Sequence, residues 1–287
     1  LLDQEFQVLA LPELKIAACE GLAGRELYEA WLGCSQLEDA ADTLQALDNA
    51  GITSASWLIV DHYGLDASWQ RQLINGLAGA ITSPKLLVID DLADRTHVAD
   101  LLLDQNFFGN ITDYRYHELV PSNCSQLLGP RYAMLGPEFA QIHSLVPVRT
   151  ELRRLLVYFG GVDPDNLTAR TLEILSDPQM ANLAVDVVLG LQSPHRRSVE
   201  ELVARRPFTN LYHSMPSLAG LMARADLAIG AGGTTTWERA CLGLPSLVVP
   251  IAANQLEVVA ALDDDGYLLT ISHEFLRERI QKAISRL

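Results

Sequence analysis

The sequence predicts an α/β protein built from two doubly wound domains that face each other across a cleft. Short apolar runs typical of buried parallel strands alternate with stretches of helical periodicity along the 287 residues. Glycines and polar residues follow many of these runs, as they do where open parallel sheets bind ligands. The segment 129–152 contains prolines and no long apolar period, and it separates two such series.

The first series predicts the amino-terminal domain. Leu37, Ala40 and Leu44 recur at helical spacing, and Ser35 is a suitable N-cap residue, so we expect a helix over 35–49. The other expected elements are a short strand within 6–11, strands over 56–60, 85–89 and 101–103, and a helix through Trp69, Leu73 and Leu77.

The second series predicts the carboxy-terminal domain. We expect strands over 155–159, 185–189, 211–213, 227–229 and 244–249, and helices over 168–175, 198–204, 217–223 and from about Trp237. The expected domain limits are 1–140 and 153–287, with a linker at 141–152. The chain opens without methionine, in a pattern typical of the middle of a domain. We therefore expect the first domain to be incomplete at its amino terminus.

The composition disfavours several classes of protein. The formal net charge of −15 argues against binding nucleic acid or anionic membranes, because such surfaces neutralise phosphates with Lys and Arg. The four cysteines lack Cys-x-x-Cys spacing, which favours free thiols in a reducing cytoplasm. No apolar run approaches the roughly 20 residues of a membrane span. We expect a cytoplasmic protein with no nucleic-acid partner, no membrane partner and no metal.

The segment 226–250 carries the strongest functional signal. An apolar strand leads into glycines, then threonines, then a predicted helix. Glycines let the backbone approach an anion closely, and the amides that open a helix point at it. The residues predicted to hold a phosphate are Gly232, Gly233, Thr234 and Thr235. Thr235 and Glu238 also have the spacing of a capping box, which requires no ligand.

Two other strand ends of this domain predict the rest of the site. Gly160 and Gly161 follow a strand and let the backbone approach a diphosphate, although such a pair also suits a simple tight turn. Asn254 and Gln255 follow another strand with amides that donate and accept, as sugar hydroxyls require, although such a pair is also common in surface loops. Glu238 is placed to accept hydrogen bonds from a ribose. Their occurrence at successive strand ends favours one shared site.

Polar residues also follow three strands of the first domain. They are Asp61, His62 and Tyr63, then Asp90 and Asp91, then Asp104, Gln105 and Asn106. His62 has the chemistry of a general base and Tyr63 that of a hydrogen-bond donor to a reacting oxygen. A structural role for His62 is an alternative. Asp90 and Asp91 lack further ligands at metal-binding spacing, so turn formation is favoured over a metal site.

Five motifs, in this order, resemble the PseG family of UDP-2,4-diacetamido-2,4,6-trideoxy-β-L-altropyranose hydrolases, which act in bacterial pseudaminic acid biosynthesis. The motifs are Val60-Asp-His-Tyr-Gly64, Ile89-Asp-Asp-Leu-Ala-Asp-Arg95, Leu102-Leu-Asp-Gln-Asn106, Phe159-Gly-Gly-Val-Asp163, and Gly230-Ala-Gly-Gly-Thr-Thr-Thr-Trp-Glu238 with Asn254-Gln255. The resemblance covers nearly the whole chain. That family is similar to MurG-type glycosyltransferases. The resemblance therefore implies a GT-B fold of two Rossmann-like domains, with UDP on the second and the sugar facing the first.

The resemblance also implies a reaction. Water attacks the anomeric carbon, UDP leaves and the configuration inverts, with no metal or organic cofactor. Tyr63 is the catalytic residue that the resemblance carries over to this chain. The family's base histidine lies in a Gly-x-Gly-His-x-x-Arg loop that this sequence does not contain, so we expect little turnover from the chain itself. His62 is not adopted as a substitute, because its motif also occurs in the complete enzymes.

We expect a monomer whose partner is a UDP-sugar. A UDP-sugar-dependent glycosyltransferase of the same fold is the enzymatic alternative, with an acceptor hydroxyl in place of water. A protein that binds a UDP-sugar without turnover is the alternative from another class. Release of UDP in the absence of an acceptor distinguishes hydrolysis from both.

Overall fold

A computed structural model describes residues 6–12, 21–77 and 83–285. The chain contacts divide it into two compact units, one of residues 1–106 and 110–132 and one of residues 107–109 and 133–287. Residues 141–152 thus belong to the second unit. In the described ranges, no helix is both long and apolar enough to cross a bilayer.

The first unit contains a four-stranded parallel sheet in the order β1-β2-β3-β4. Its elements are α1 (Gly24–Ala30), α2 (Gln36–Asn49), β1 (Trp57–Val60), α3 (Ala67–Gly76), β2 (Lys85–Ile89), β3 (Leu101–Asp104) and β4 (Ser125–Leu128). Leu73, Leu86 and Leu102 are buried in its core. Val60 pairs with Val88 on the neighbouring strand, so the carboxyl ends of β1 and β2 lie at the same edge.

The second unit contains a six-stranded parallel sheet in the order β10-β9-β8-β5-β6-β7. Its strands are β5 (Arg154–Tyr158), β6 (Ala184–Leu189), β7 (Thr209–His213), β8 (Leu227–Ala231), β9 (Ser246–Val249) and β10 (Leu269–Thr270). The chain moves outward from β5 to β7 and then returns to the other side of β5 with β8. This change of direction is a topological switch point, where open α/β sheets bind ligands.

Helices cover the second sheet. They are α4 (Pro137–His143), α5 (Leu167–Leu175), α6 (Arg196–Arg205), α7 (Ala219–Arg224), α8 (Thr235–Cys241), α9 (Ala253–Asp264) and α10 (Leu276–Ile284). Leu155, Val187 and Ile229 fill the core on one face, while Leu156, Val188 and Ala228 pack with α4 and α7 on the other. Since both faces are covered, these strands are mainly apolar, as the sequence indicates, apart from Arg154 and the buried Asp186, which pair with each other.

Most predicted elements are present, with ends shifted by one or two residues. The predicted cap of α2 is confirmed, because Ser35 and Glu38 form a reciprocal capping box. The strand predicted within 6–11 is wrong. Phe6 and Val8 there are exposed and adopt no regular structure, since the segment pairs with no strand of the described chain.

Candidate functional site

Three predicted motifs lie side by side at the carboxyl edge of the second sheet. Gly160 and Gly161 follow β5, the loop from Gly232 follows β8, and Asn254 and Gln255 follow β9. Because β9, β8 and β5 are neighbours in the sheet, their ends are adjacent. The fold therefore brings these motifs together at the switch point.

The glycines at the end of β8 and in the loop after it have different roles in packing. A side chain at Gly230 would overlap the Tyr158 carbonyl oxygen, and one at Gly232 would overlap Val259. A Cβ at Gly233 would instead meet its nearest neighbour, Gln255 Nε2, at 3.7 Å. Gly230 and Gly232 are thus required by packing, whereas Gly233 leaves open space at the edge of the sheet.

The capping box considered for Thr235 and Glu238 is not formed. Helix α8 begins at Thr235, and the residue before it, Thr234, makes no side-chain cap hydrogen bond. One Glu238 carboxylate oxygen is buried without a hydrogen-bond partner among the described residues. Burial raises the pKa of Glu238. Glu238 therefore keeps an unused acceptor in the first turn of α8.

The amides after β9 lie on a helix and not on a surface loop. Asn254 and Gln255 occupy the first turn of α9, and both are half-buried. The Gln255 side-chain oxygen accepts the Ile251 amide at 3.0 Å. This bond holds the Gln255 side chain beside Gly232 and Gly233.

The loop after β5 is fixed by its neighbours. Gly160 has φ +92°, a conformation that favours glycine. The buried Asp163 carboxylate accepts the amides of Leu167 and Thr168, each at 2.9 Å. A side chain at Gly190, after β6, would overlap the Gly161 carbonyl. At Gly161 and Gly190 the loops after β5 and β6 thus meet backbone to backbone.

A cavity of about 330 Å³ opens beside this contact, at the ends of β5, β6 and β7. It is lined by Tyr158, Gly161, Val188, Leu189, Gly190, Leu191, Gln192, Ser214, Met215 and Leu218. Burial and the Glu238 charge raise the pKa of Tyr158. Tyr158 lines the cavity and Glu238 lies in α8, so the charge of α8 acts on the cavity wall. Most of these residues carry no sequence signal of a site; the exception is Gly190, which directly follows a predicted strand.

Tyr63 lies in a polar cluster of the first unit. Its hydroxyl donates a hydrogen bond to Asp91, which also accepts the Asn106 amide at 2.9 Å. Its ring packs against Tyr28, with ring centroids 4.9 Å apart. Arg25 donates to the Tyr63 carbonyl at 2.9 Å. The three strand ends of the first domain thus meet around Asp91.

Burial and charge shift the carboxylates of this cluster in opposite directions. Burial raises the pKa of Asp91, and it raises the pKa of Asp104 to about 7 although Arg115 lies 2.6 Å away. Burial would also raise the pKa of Asp90. However, His97 and the Arg95 guanidinium, which lies 2.7 Å from the Asp90 carboxylate, hold the pKa of Asp90 well below its usual range.

Asp90 forms a turn, as predicted, and His62 has a structural contact. The Asp90 carboxylate accepts the Ala93 amide at 3.0 Å. His62 Nδ1 accepts the Gly64 amide at 3.0 Å, and burial lowers the pKa of His62. In the parts of the chain that the structure describes, no three His, Cys, Asp or Glu side chains are grouped to hold a metal ion.

The fold and the edge of the second sheet define an α/β protein with the GT-B type of fold, formed by Rossmann-like units. Acinetobacter baumannii MurG is similar over 99% of this chain and 78% of its own, with a TM-score of 0.57 and 15% identity. The UDP co-structure of S. aureus MnaA covers 88% of this chain and 71% of its own, with a TM-score of 0.55 and 10% identity. At such identities the likeness shows the fold.

Relatives by sequence are more specific, although no protein-family model matches the chain. The uncharacterized protein MJ1062 of Methanocaldococcus jannaschii is 33% identical over 244 residues, which is 82% of this chain and 48% of the relative. The Bacillus subtilis spore coat polysaccharide biosynthesis protein SpsG is 30% identical over 160 residues, 55% of this chain and 47% of its own.

A third relative is the Helicobacter pylori pseudaminic acid cytidylyltransferase and UDP-2,4-diacetamido-2,4,6-trideoxy-β-L-altropyranose hydrolase. It is 27% identical over 145 residues, 47% of this chain and 25% of the relative. The chain thus spans half or less of the length of each of these curated relatives.

Proposed function

We propose that this chain binds a UDP-sugar on its second unit and belongs to a hydrolase of UDP-2,4-diacetamido-2,4,6-trideoxy-β-L-altropyranose, yielding the free sugar and UDP. The observation that carries the proposal is the row of adjacent strand ends β9, β8 and β5 beside a cavity at β5 to β7. A nucleotide-sugar needs such a row, because base, diphosphate and sugar require different contacts in sequence along one surface.

Each part of the row suits one part of the ligand. The cavity has the size of a small-ligand pocket and takes the base. The unused Glu238 oxygen accepts from the ribose hydroxyls. The diphosphate lies at the open loop of Gly232, Gly233, Thr234 and Thr235, with Gly160 and Gly161 allowing close approach, and Asn254 and Gln255 bind sugar hydroxyls or acetamido groups.

The sequence relatives favour this ligand class. The Helicobacter pylori relative is named for the proposed hydrolase activity, and the Bacillus subtilis relative for spore coat polysaccharide biosynthesis. Both observations point toward activated sugars as the substrate class.

Departure of UDP is the step that this geometry assists. Negative charge grows on the leaving diphosphate as water bonds to the anomeric carbon and the carbon–oxygen bond to UDP breaks with inversion. Backbone amides of Gly232 and Gly233 directed at that charge stabilise the transition state. We propose Tyr63 as a catalytic residue, with Asp91 fixing the direction of its hydroxyl. The reaction needs no metal or organic cofactor.

Further properties are proposed with this function. The protein acts as a monomer in the cytoplasm, where nucleotide-sugars are made. The connection between its two domains is proposed to be the segment 141–152, which by its contacts packs with the second unit. Turnover by this chain is slow, because the sequence has no Gly-x-Gly-His motif and a general base contributes roughly 10² to 10⁴ in rate.

Release of UDP from the altrose nucleotide, followed without an acceptor by chromatography, tests hydrolysis. We expect release above the uncatalysed rate and below that of the Helicobacter pylori relative assayed in parallel. Release that requires an added sugar acceptor would show a glycosyltransferase. Tight UDP binding with release no faster than the uncatalysed rate would show a protein that binds without turnover.

A further inference from the structure

Arg239 is buried directly behind the loop that follows β8. Its side chain is 3% exposed, although it carries a full charge. Nη2 donates to the Ala231 carbonyl at 2.9 Å and to the Thr236 hydroxyl at 3.0 Å, and Nη1 lies 3.5 Å from the Thr235 hydroxyl. These contacts connect the end of β8 to the first turn of α8, so Arg239 sets the shape of the loop between them.

The Arg239 charge has no counter-charge at contact distance. Arg95 and Arg115 pair with Asp90 and Asp104, but no carboxylate of the described residues forms an ion pair with Arg239. Its Nε is buried and has no hydrogen-bond partner in the described part of the chain. Burial lowers its pKa to about 10, partly opposed by the Glu238 charge, so the group remains charged at neutral pH.

A buried charge that lacks both a counter-charge and a full set of hydrogen bonds, as the Arg239 guanidinium does, is strongly unfavourable unless something else neutralises it. No side chain separates the Arg239 guanidinium from the end of β8, because the residue there is Gly230. A Cβ on Gly230 would lie 3.2 Å from Arg239 Nη1. In a water-poor environment, an anion does not need to touch the guanidinium to feel its field. The loop in front of Arg239 is thus a place where a bound anion would supply the missing negative charge.

We propose that Arg239 is a positioning residue for a diphosphate, holding the 231–236 loop in shape from behind while its buried charge is balanced by the bound anion. The inference rests on the proposed function for the identity of the ligand as UDP. It predicts that the preference for diphosphate over a neutral nucleoside depends on Arg239.

Arg206 provides a matched control in the same unit. It is 5% exposed, and it donates to the carbonyls of Leu175 at 3.0 Å and Met180 at 2.9 Å. It also forms no ion pair among the described residues. However, it precedes β7 and therefore lies at the amino edge of the sheet, opposite the edge where the loops gather. Loss of Arg206 should cost stability without changing ligand preference.

The test compares the wild-type chain with Arg239→Gln, Arg239→Lys and Arg206→Gln by calorimetry, using UDP, uridine and inorganic pyrophosphate as ligands. Folding of each variant is checked by circular dichroism and thermal unfolding. We expect Arg239→Gln to weaken UDP and pyrophosphate about tenfold or more while uridine changes less than about twofold. Arg239→Lys should keep much of the preference because it keeps the charge, and Arg206→Gln should leave all three affinities unchanged.

The outcomes separate this inference from the proposed function. Equal losses of UDP and uridine in Arg239→Gln would overturn the inference and leave only a structural role. Pyrophosphate binding that depends on Arg239, with UDP no tighter than pyrophosphate, would support the inference and contradict UDP-sugar binding. A wild-type chain that binds neither UDP nor pyrophosphate would overturn both. If Arg239→Gln does not fold, Arg239→Lys decides, because parallel losses of UDP and uridine there would also overturn the inference.

Discussion

The Tyr63 hydroxyl donates a hydrogen bond to the Asp91 carboxylate, joining the residues that follow β1 and β2. The family resemblance marks Tyr63 as catalytic, but the sequence carries no sign that Asp91 is the partner of its hydroxyl. With the Asn106 amide on the same carboxylate, Asp91 holds two donors from different strand ends. Tyr63 is therefore oriented before any ligand binds. Because its single proton is used in the bond to Asp91, its oxygen accepts and does not donate a further hydrogen bond in this arrangement.

Tyr63→Phe should slow UDP release by about 10²-fold while UDP affinity changes less than about twofold, because the hydroxyl is proposed to act on the reacting sugar and not on the nucleotide. Single-turnover assays and UDP calorimetry check the two effects. Tyr114→Phe, at a tyrosine that is 71% exposed, is the control and should leave both unchanged. Turnover by Tyr63→Phe equal to that of the wild type would remove Tyr63 from the mechanism.

Gly233→Asp should weaken UDP binding more than about tenfold with little change in melting temperature. The site has room for a Cβ, with its nearest neighbour at 3.7 Å, so the fold tolerates the side chain. The added carboxylate would nevertheless repel the diphosphate. Gly220→Asp introduces the same charge at an open position of α7 and should not alter UDP affinity. If calorimetry gives the same UDP affinity for the wild type and Gly233→Asp, the loop at Gly233 does not bind the diphosphate.

Gly190→Ala should destabilise the second unit by about 1 to 3 kcal/mol, since the methyl group would overlap the Gly161 carbonyl and force the two loops apart. Denaturant unfolding measures this loss, and uridine affinity should fall because the displaced loops line the cavity. Gly161→Ala is the control, since no atom lies within 4 Å of the added group. A Gly190→Ala protein as stable as Gly161→Ala would contradict the backbone contact.

Asp104→Asn should change how stability depends on pH. The folded-state pKa of Asp104 is raised to about 7, so the folded state holds this proton more tightly than the unfolded state. The contribution of Asp104 to the free energy of unfolding is therefore full below the unfolded pKa of about 4. It is lost as pH rises to 7, by on the order of 4 kcal/mol at most.

Unfolding of the wild type and Asp104→Asn at pH 4.5 and pH 7.5 measures this difference. The wild type should lose more stability over that interval than the variant. Asp113→Asn, at an exposed aspartate, should behave like the wild type. Equal pH dependence in Asp104→Asn and wild type would show that the Asp104 carboxyl does not titrate in this range.

Sequence patterns predicted the parts of the fold whose burial is uniform. The run at 85–89 gave strand β2 with its observed limits, because apolar residues there are flanked by polar ones. Strand β4 escaped prediction because Ser125 and Gln126 are exposed at the edge of the sheet and lack an apolar pattern. Helix α1 escaped because Ala23 before it has no side-chain cap.

The site was predictable where a single segment forms it. The glycines and threonines after β8 stand together in the chain, so their spacing is visible in the sequence. The cavity is assembled from three strand ends that are far apart in the sequence. Ser214 adopts φ +45° there, a conformation that is not predictable from a serine in the sequence. The burial of Arg239 likewise depends on packing beneath a loop, and sequence spacing carries no sign of it.

The backbone contact between Gly190 and Gly161 distinguishes two kinds of position around the cavity. Gly190 has no room for a side chain, whereas positions on the exposed rim of the cavity do. Where two main chains touch, no exchange of side chains can adjust the fit gradually, so any residue larger than glycine at position 190 displaces the loops. Rim positions such as Leu191 and Met215 are 66% and 38% exposed and accept new side chains freely. Ligand choice is therefore expected to be adjustable at these exposed positions and not at Gly190, which makes them the rational starting point for redesigning specificity.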